Sequence, residues 1–120
     1  MPSMLSTRLR NQRLTGTTFR RADQVVSWLG AVQAQDYAGA QWGVALRARG
    51  LTVAAIERAF AAGEILRTHV LRPTWHLVTP ADLRWMLALT GPRLRRLLAT
   101  YDRRLEIDAR LLTRVRRIVE

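Results

Sequence analysis

The apolar positions of this chain follow a helical period, switch to a β-rich stretch, and return to the helical period. Leu5, Leu9 and Leu14 stand among Arg8, Arg10 and Arg13, which predicts a short amphipathic helix over residues 4–14 with one basic face. Thr15-Gly16-Thr17-Thr18 reads as a loop. Val25, Val26, Trp28, Leu29 and Val32 then recur at helical spacing and predict a second helix from about residue 21 to 32. Asp36-Tyr37-Ala38-Gly39 reads as a turn or cap, and residues 40–49 as a third helix stopped by Gly50. Thr52 is a good N-cap for a helix over residues 53–62, ended by Gly63. Beyond that glycine, residues 64–71 and 74–78 are β-rich, with Arg72-Pro73 between them, and predict two strands joined by a tight loop. Thr79-Pro80-Ala81-Asp82 is a helix start, with threonine at the N-cap, proline at N1 and an acid at N3. That helix is expected to run to about Thr90, before Gly91-Pro92. Leu94, Leu97, Leu98, Tyr101 and Leu105 form a further apolar stripe, opposed by Arg93, Arg96, Arg103 and Arg104. Asp108 caps a last helix with Leu111, Leu112, Val115, Ile118 and Val119 expected to face inward. No stop signal follows before Glu120, which reads as a chain cut short.

Helices, then a β-hairpin, then helices is the order of a winged helix-turn-helix: mainly α, with a hairpin wing near 64–78. The expected winged-helix domain covers residues 1–91, and residues 92–120 are basic helices.

Charge changes this picture more than size does. The 120 residues carry a net charge of +11, and all 20 basic residues are arginine. A GC-rich genome explains arginine in place of lysine but not the excess of positive charge. Arginine forks match phosphate bidentately and a basic surface displaces counterions from a polyanion, so double-stranded DNA is the expected partner. Zero cysteines exclude disulfides, thiolate metal sites and cysteine nucleophiles. With two histidines and no cysteine, no metal and no cofactor are expected. No apolar run reaches about 18 residues and the start lacks the apolar core of a secretory signal, so no membrane association and a cytoplasmic, nucleoid-associated location are expected. Oligomeric state is not written in the pattern.

The chemistry concentrates in a polar island, Gln33-Ala34-Gln35-Asp36, at the end of an apolar helix. A glutamine at the edge of a core is costly unless both ends of its amide are hydrogen-bonded. The bland reading of the pair is helix C-capping and a hydrogen-bonded turn.

Three segments together are similar to a known family: Arg8-Leu9-Arg10-Asn11-Gln12-Arg13-Leu14; Val32-Gln33-Ala34-Gln35-Asp36 with Arg47-Ala48-Arg49 behind it; and Leu71-Arg72-Pro73-Thr74-Trp75-His76-Leu77-Val78. Their order resembles the winged-helix family that includes the azinomycin-resistance (AlkZ-like) DNA glycosylases and their YcaQ-like relatives. The resemblance covers the chain from about residue 8 onward. It implies a module of a tandem winged-helix protein that cradles DNA, with residues 92–120 linking to or starting a second, truncated module. It implies excision of N7-alkylated purines, with unhooking of interstrand crosslinks in some members. The family's Gln-aliphatic-Gln motif maps onto Gln33, Ala34 and Gln35, which makes Gln33 and Gln35 the catalytic candidates. Tyr37, Arg47, Arg49, Arg72 and His76 are the DNA-binding candidates.

Hydrolysis of a glycosidic bond ordinarily uses a general acid and a base, and glutamine is neither. An N7-alkylpurine is already cationic and leaves without protonation. What remains is to hold a water below C1′ and to steady an oxocarbenium-like sugar, which an amide oxygen does modestly. Two glutamines at i, i+2 converge on one water if the backbone leaves helical geometry there. Asp36 is an alternative base, with capping as its ordinary role. The chain has no lysine, and its α-amino group is the one amine left for a Schiff base, so any activity is expected to be monofunctional and hydrolytic.

Bland alternatives stand beside these roles. A lone strand histidine such as His76 is more often a satisfied structural group than a catalyst, and His69, without motif support, reads as structural. Trp28 and Trp85 are expected in the core. Trp75 is expected there too, or as a wedge into a base step. Tyr37 packs or stacks on a base, and each arginine can belong to a merely solvated face. The competing function is a non-catalytic winged-helix DNA binder, either a regulator or an inactive repair module. Binding to RNA or to an anionic membrane has less support, because the chain lacks an RNP-like aromatic motif and a long Trp-anchored amphipathic helix.

Overall fold

Gly30 decides where the second helix ends. Its backbone sits at φ 77°, and a Cβ there would also lie 3.6 Å from the Met86 side chain. A left-handed φ suits glycine and breaks the helical ladder. The computed structural model describes residues 3–71 and 73–120. In chain order these form α1 (Met4–Asn11), α2 (Ala22–Leu29), β1 (Val32–Gln33), α3 (Tyr37–Ala45), α4 (Val53–Ala61), β2 (Leu66–His69), β3 (Trp75–Val78), α5 (Pro80–Arg104) and α6 (Ala109–Val119). The protein is therefore mainly helical with one small sheet, as the pattern predicts, and the architecture is winged-helix-like.

The sheet has one strand more than the hairpin. Its order is β1-β3-β2 and both pairings are antiparallel. Val32 stands opposite Leu77 and Gln33 opposite His76; across the hairpin Leu66, Arg67, Thr68 and His69 face Val78, Leu77, His76 and Trp75. The helix expected to reach residue 32 stops at Leu29, and the two glutamines do not cap it. Val32 keeps helical spacing with Leu29, which disguises a strand as one more turn. Once Gly30 has turned the chain, an extended Val32-Gln33 joins the free edge of β3.

Side chains alternate across the sheet, so β3 serves two cores. Leu77 packs with Val25, Val26, Val44, Ile56 and Ile65 from the side of α2, α3 and α4. Val78 packs with Val70 and Met86, and with Leu83 on α5. Both Leu77 and Val78 are fully buried.

Helix starts follow local chemistry. Thr52 caps α4, its hydroxyl accepting from the Ala55 N–H at 3.2 Å, and Asp108 caps α6, accepting from the Leu111 N–H at 2.7 Å. Thr52→Ala is expected to destabilise the fold by about 1 kcal/mol, the usual loss for an N-cap. A shift in the denaturant midpoint at unchanged slope would show it. At α5, Pro80 begins the helix, but the Thr79 hydroxyl donates to Asp82 at 2.8 Å in place of accepting from the backbone.

Three expectations are corrected. Helix α5 does not stop at Thr90 but continues through Pro92 to Arg104. Proline removes a single i to i−4 bond here, and the leucines and arginines that follow are good helix formers. Thr90 also ties the helix down, donating to the Met86 carbonyl at 2.8 Å and to that of Val70. Trp28 and Trp85 are not core residues: both are about half exposed. Each indole N–H finds a local acceptor, the Asn11 carbonyl at 3.0 Å and the Asp82 carboxylate at 2.8 Å. Finally, Leu111, Leu112, Val115, Ile118 and Val119 are exposed rather than turned inward, and Leu97, Tyr101 and Leu105 of the preceding stripe are exposed as well.

Candidate nucleic-acid and hydrolytic site

The helix does not reach Gln33-Ala34-Gln35: Gln33 ends β1, Ala34 lies just beyond the strand and Gln35 sits in a bend, which changes what the i, i+2 spacing means. The Ala34 N–H donates to the Trp75 carbonyl at 2.8 Å and carries the β1–β3 ladder one residue further. Ala34 is fully buried, while Gln33 and Gln35 on either side of it are exposed. A small buried apolar residue thus anchors the segment, with an exposed glutamine on either side of it. The Gln35 Oε1 accepts from the Trp75 N–H at 3.3 Å, which fixes one end of its amide against β3. Asp36 accepts from the Gly39 N–H at 3.1 Å and caps α3.

Two shallow concavities meet at this segment. One, of about 270 Å³, is lined by Val32, Gln33, Gln35, Asp36, Gly39, Ala40 and Gly43. The other, of about 370 Å³, is lined by Gln12, Leu29, Ala31, Val32, Gln33, Gly43 and Arg47. Val32, Gln33 and Gly43 belong to both. Gly43 lacks a side chain and so leaves the wall from α3 low. A Cβ at Gly39 would stand 2.5 Å from the Asp36 carboxylate, so that position is reserved for the cap.

The other candidates are distributed unevenly. Arg47 lines the second concavity and is half-buried; it donates to the Gln12 carbonyl at 2.9 Å and to the Gly43 carbonyl at 2.7 Å, tying the end of α1 to α3. Arg49 is exposed, and its backbone N–H is held by the Phe19 carbonyl at 2.8 Å. Tyr37 is half-buried at the start of α3, with its ring 6.2 Å from that of Phe60. Burial pushes its phenol above the ordinary range, and the Glu57 carboxylate adds to the shift. His76 is buried, 4% exposed, on the central strand directly across from Gln33. Its Nδ1 lies 2.8 Å from the Thr74 carbonyl, an oxygen that only accepts, so Nδ1 carries the proton. Arg72 lies outside the described residues.

Sequence reasoning passed over Arg67. Its Nε and Nη2 both donate to the Ala34 carbonyl, at 3.1 and 3.0 Å, and its guanidinium lies 5.3 Å from the Tyr37 ring and 4.8 Å from the Trp75 ring. The available signal was its phase in β2, opposite the fully buried Leu77. Arg13, read as part of a basic face, instead lies 3.8 Å over Trp28 and 5.1 Å over Phe19. Among the described residues no cluster of three or more histidine, cysteine or acidic side chains is placed to hold a metal ion. Among the same residues, no helix is long and apolar enough to cross a membrane.

A profile of the family described as "DNA glycosylase AlkZ-like" matches residues 26–120. The chain belongs to the AlkZ-like DNA glycosylase family. The match includes the Gln33-Ala34-Gln35 segment, the sheet and all of α3 to α6. Among solved structures, the DNA glycosylase AlkZ of Streptomyces sahachiroi is similar at 26% identity and a TM-score of 0.58, over 78% of this chain. The chain spans about 30% of the length of that protein. No curated protein matches. Membership ties this AlkZ-like chain to DNA repair glycosylases, and DNA is the partner that the family implies.

Proposed function

We propose that this chain binds duplex DNA and forms the hydrolytic site of a monofunctional glycosylase that releases N7-alkylated purines, including those bridging two strands. The observation that carries this reading is the placement of Gln33 and Gln35, both exposed on one concavity about the buried Ala34. In the proposed step a water oxygen bonds to C1′ and the C1′–N9 bond breaks. The bonding pair goes to the purine, which neutralises its alkylation charge, and a water proton passes to solvent. No group on the protein has to protonate the base. The amide oxygens of Gln33 and Gln35 accept from the water and present partial negative charge to the sugar as positive charge develops on it. A carbonyl oxygen has two lone pairs, so the bond from Trp75 leaves Gln35 able to accept a second time. Asp36 caps α3 through Oδ1, its ordinary role, and stands as the alternative base.

For DNA, Arg49 and Arg72 are proposed phosphate contacts. Arg47 and Tyr37 shape the rim, and His76 supports Gln33 from the neighbouring strand. The cytoplasmic, nucleoid-associated location follows from this partner. Residues 1–91 as the winged-helix domain and 92–120 as a basic extension toward a further module remain part of the proposal.

Incubation with a duplex bearing a single N7-methylguanine, followed by alkali, tests the reading. Strand cleavage at the lesion, absent from the unmodified duplex, is expected. Tight binding with no alkali-labile site would leave a DNA-binding winged helix without this chemistry. Duplex affinity should also fall linearly on logarithmic axes with salt. Arg49→Ala should reduce that slope by about one, the effect of deleting a single phosphate contact. An unchanged slope would remove Arg49 from the interface.

A further inference from the structure

We propose that Arg67 is the positioning residue of the Gln33-Ala34-Gln35 segment, an inference that rests on the glycosylase reading above. Two of its N–H groups converge on one acceptor, the Ala34 carbonyl, between the two glutamines. The other backbone group of Ala34 is held as well, its N–H donating to the Trp75 carbonyl. Trp75 in turn donates its own N–H to the Gln35 side chain. The Arg67 guanidinium lies 4.8 Å from the Trp75 ring, so one cation braces both the carbonyl at the centre of the motif and the residue that orients Gln35.

The arrangement is unusual for a strand arginine. Arg67 is half-buried, and among the described residues its charge meets no carboxylate within ion-pair distance. Its partners are a neutral carbonyl and two aromatic faces, Tyr37 and Trp75. Burying a cation on such terms opposes folding unless the geometry is well satisfied. An apolar residue opposite Leu77 would pack with less penalty, so stability alone does not account for arginine at this position. The guanidinium fork donates twice to one oxygen while its central carbon lies 5.3 and 4.8 Å from the centroids of two aromatic rings, a combination that the single ammonium of lysine does not reproduce. The product is a rigid backbone at Ala34, and with it a fixed direction for the amides on either side. A small displacement of the groups that hold an attacking water is felt strongly in rate.

The test compares the whole chain with Arg67→Lys and Arg67→Ala on a duplex bearing one N7-methylguanine, under single-turnover conditions, with duplex affinity and melting temperature measured in parallel. Lysine keeps the charge but loses the fork. Arg67→Lys should release base about 10- to 100-fold more slowly while holding DNA within about twofold of wild type. Added guanidinium should restore part of the rate to Arg67→Ala and none to Arg67→Lys, whose side chain fills the space. Release by Arg67→Lys at the wild-type rate overturns the positioning role alone. So does parallel loss of melting temperature, duplex binding and rate in both variants without guanidinium rescue, because it shows a structural residue. Absence of release by the wild-type chain overturns the glycosylase reading and the positioning role with it.

Discussion

Replacing Gln33 and Gln35 together by alanine is expected to slow base release about 100- to 1,000-fold, the usual effect of removing a preorganised electrostatic group at a reacting centre. Duplex affinity should change little, because neither residue carries charge and both are exposed rather than packed in the core. Folding should survive for the same reason: Ala34, which anchors the segment, is retained. Gln35→Ala also removes the acceptor of the Trp75 N–H, so that single variant is expected to loosen the β1–β3 edge. Neither loss should be rescued by raising pH, since no proton leaves either amide. A variant that binds the alkylated duplex and releases base at the wild-type rate would remove the pair from the chemistry.

The largest effect on stability is expected from Leu77→Ala. Leu77 is fully buried at the centre of the sheet and faces the core formed by α2, α3 and α4. Truncating such a side chain costs about 2–5 kcal/mol through lost burial and the cavity left behind. A domain of this size has roughly 5–15 kcal/mol in all, so the variant should melt far below wild type or fail to fold. The consequence reaches the site, because β3 pairs with β1 through Leu77 and His76 and positions Gln33. Urea unfolding followed by tryptophan fluorescence would measure it. A loss under 1 kcal/mol would mean that Leu77 does not hold β3 against the core of α2, α3 and α4.

The sequence disclosed this fold wherever the determinant was local. Thr52, Asp108 and Pro80 announce their helices because a cap or an N1 proline acts within one turn. The hairpin strands were legible because β-branched and aromatic residues follow one another between Gly63 and Thr79. The third strand was not: two residues are too few for a period, and Val32 extends the helical spacing of Leu29. Gly30 was the signal, and its left-handed backbone outweighed the apolar pattern. Pro92 erred in the opposite direction, because one missing bond does not stop a helix that good helix formers carry forward. Trp28 and Trp85 were misplaced because an indole supplied with a neighbouring acceptor rests on the surface without burying its N–H. At the site, the glutamine pair was legible as a polar island, but its geometry depended on a backbone change that spacing alone did not reveal. The support behind it comes from Arg67, which is 33 residues away from Ala34 in the chain and lay beyond local pattern.

The measurement that tests the central claim most directly is the amount of free N7-methylguanine released from a singly alkylated duplex, quantified by mass spectrometry for wild type and for Gln33→Ala/Gln35→Ala. The account predicts one free base per alkali-labile site from the wild-type chain and only the spontaneous background from the double variant at equal DNA occupancy. Equal release from both proteins would contradict it.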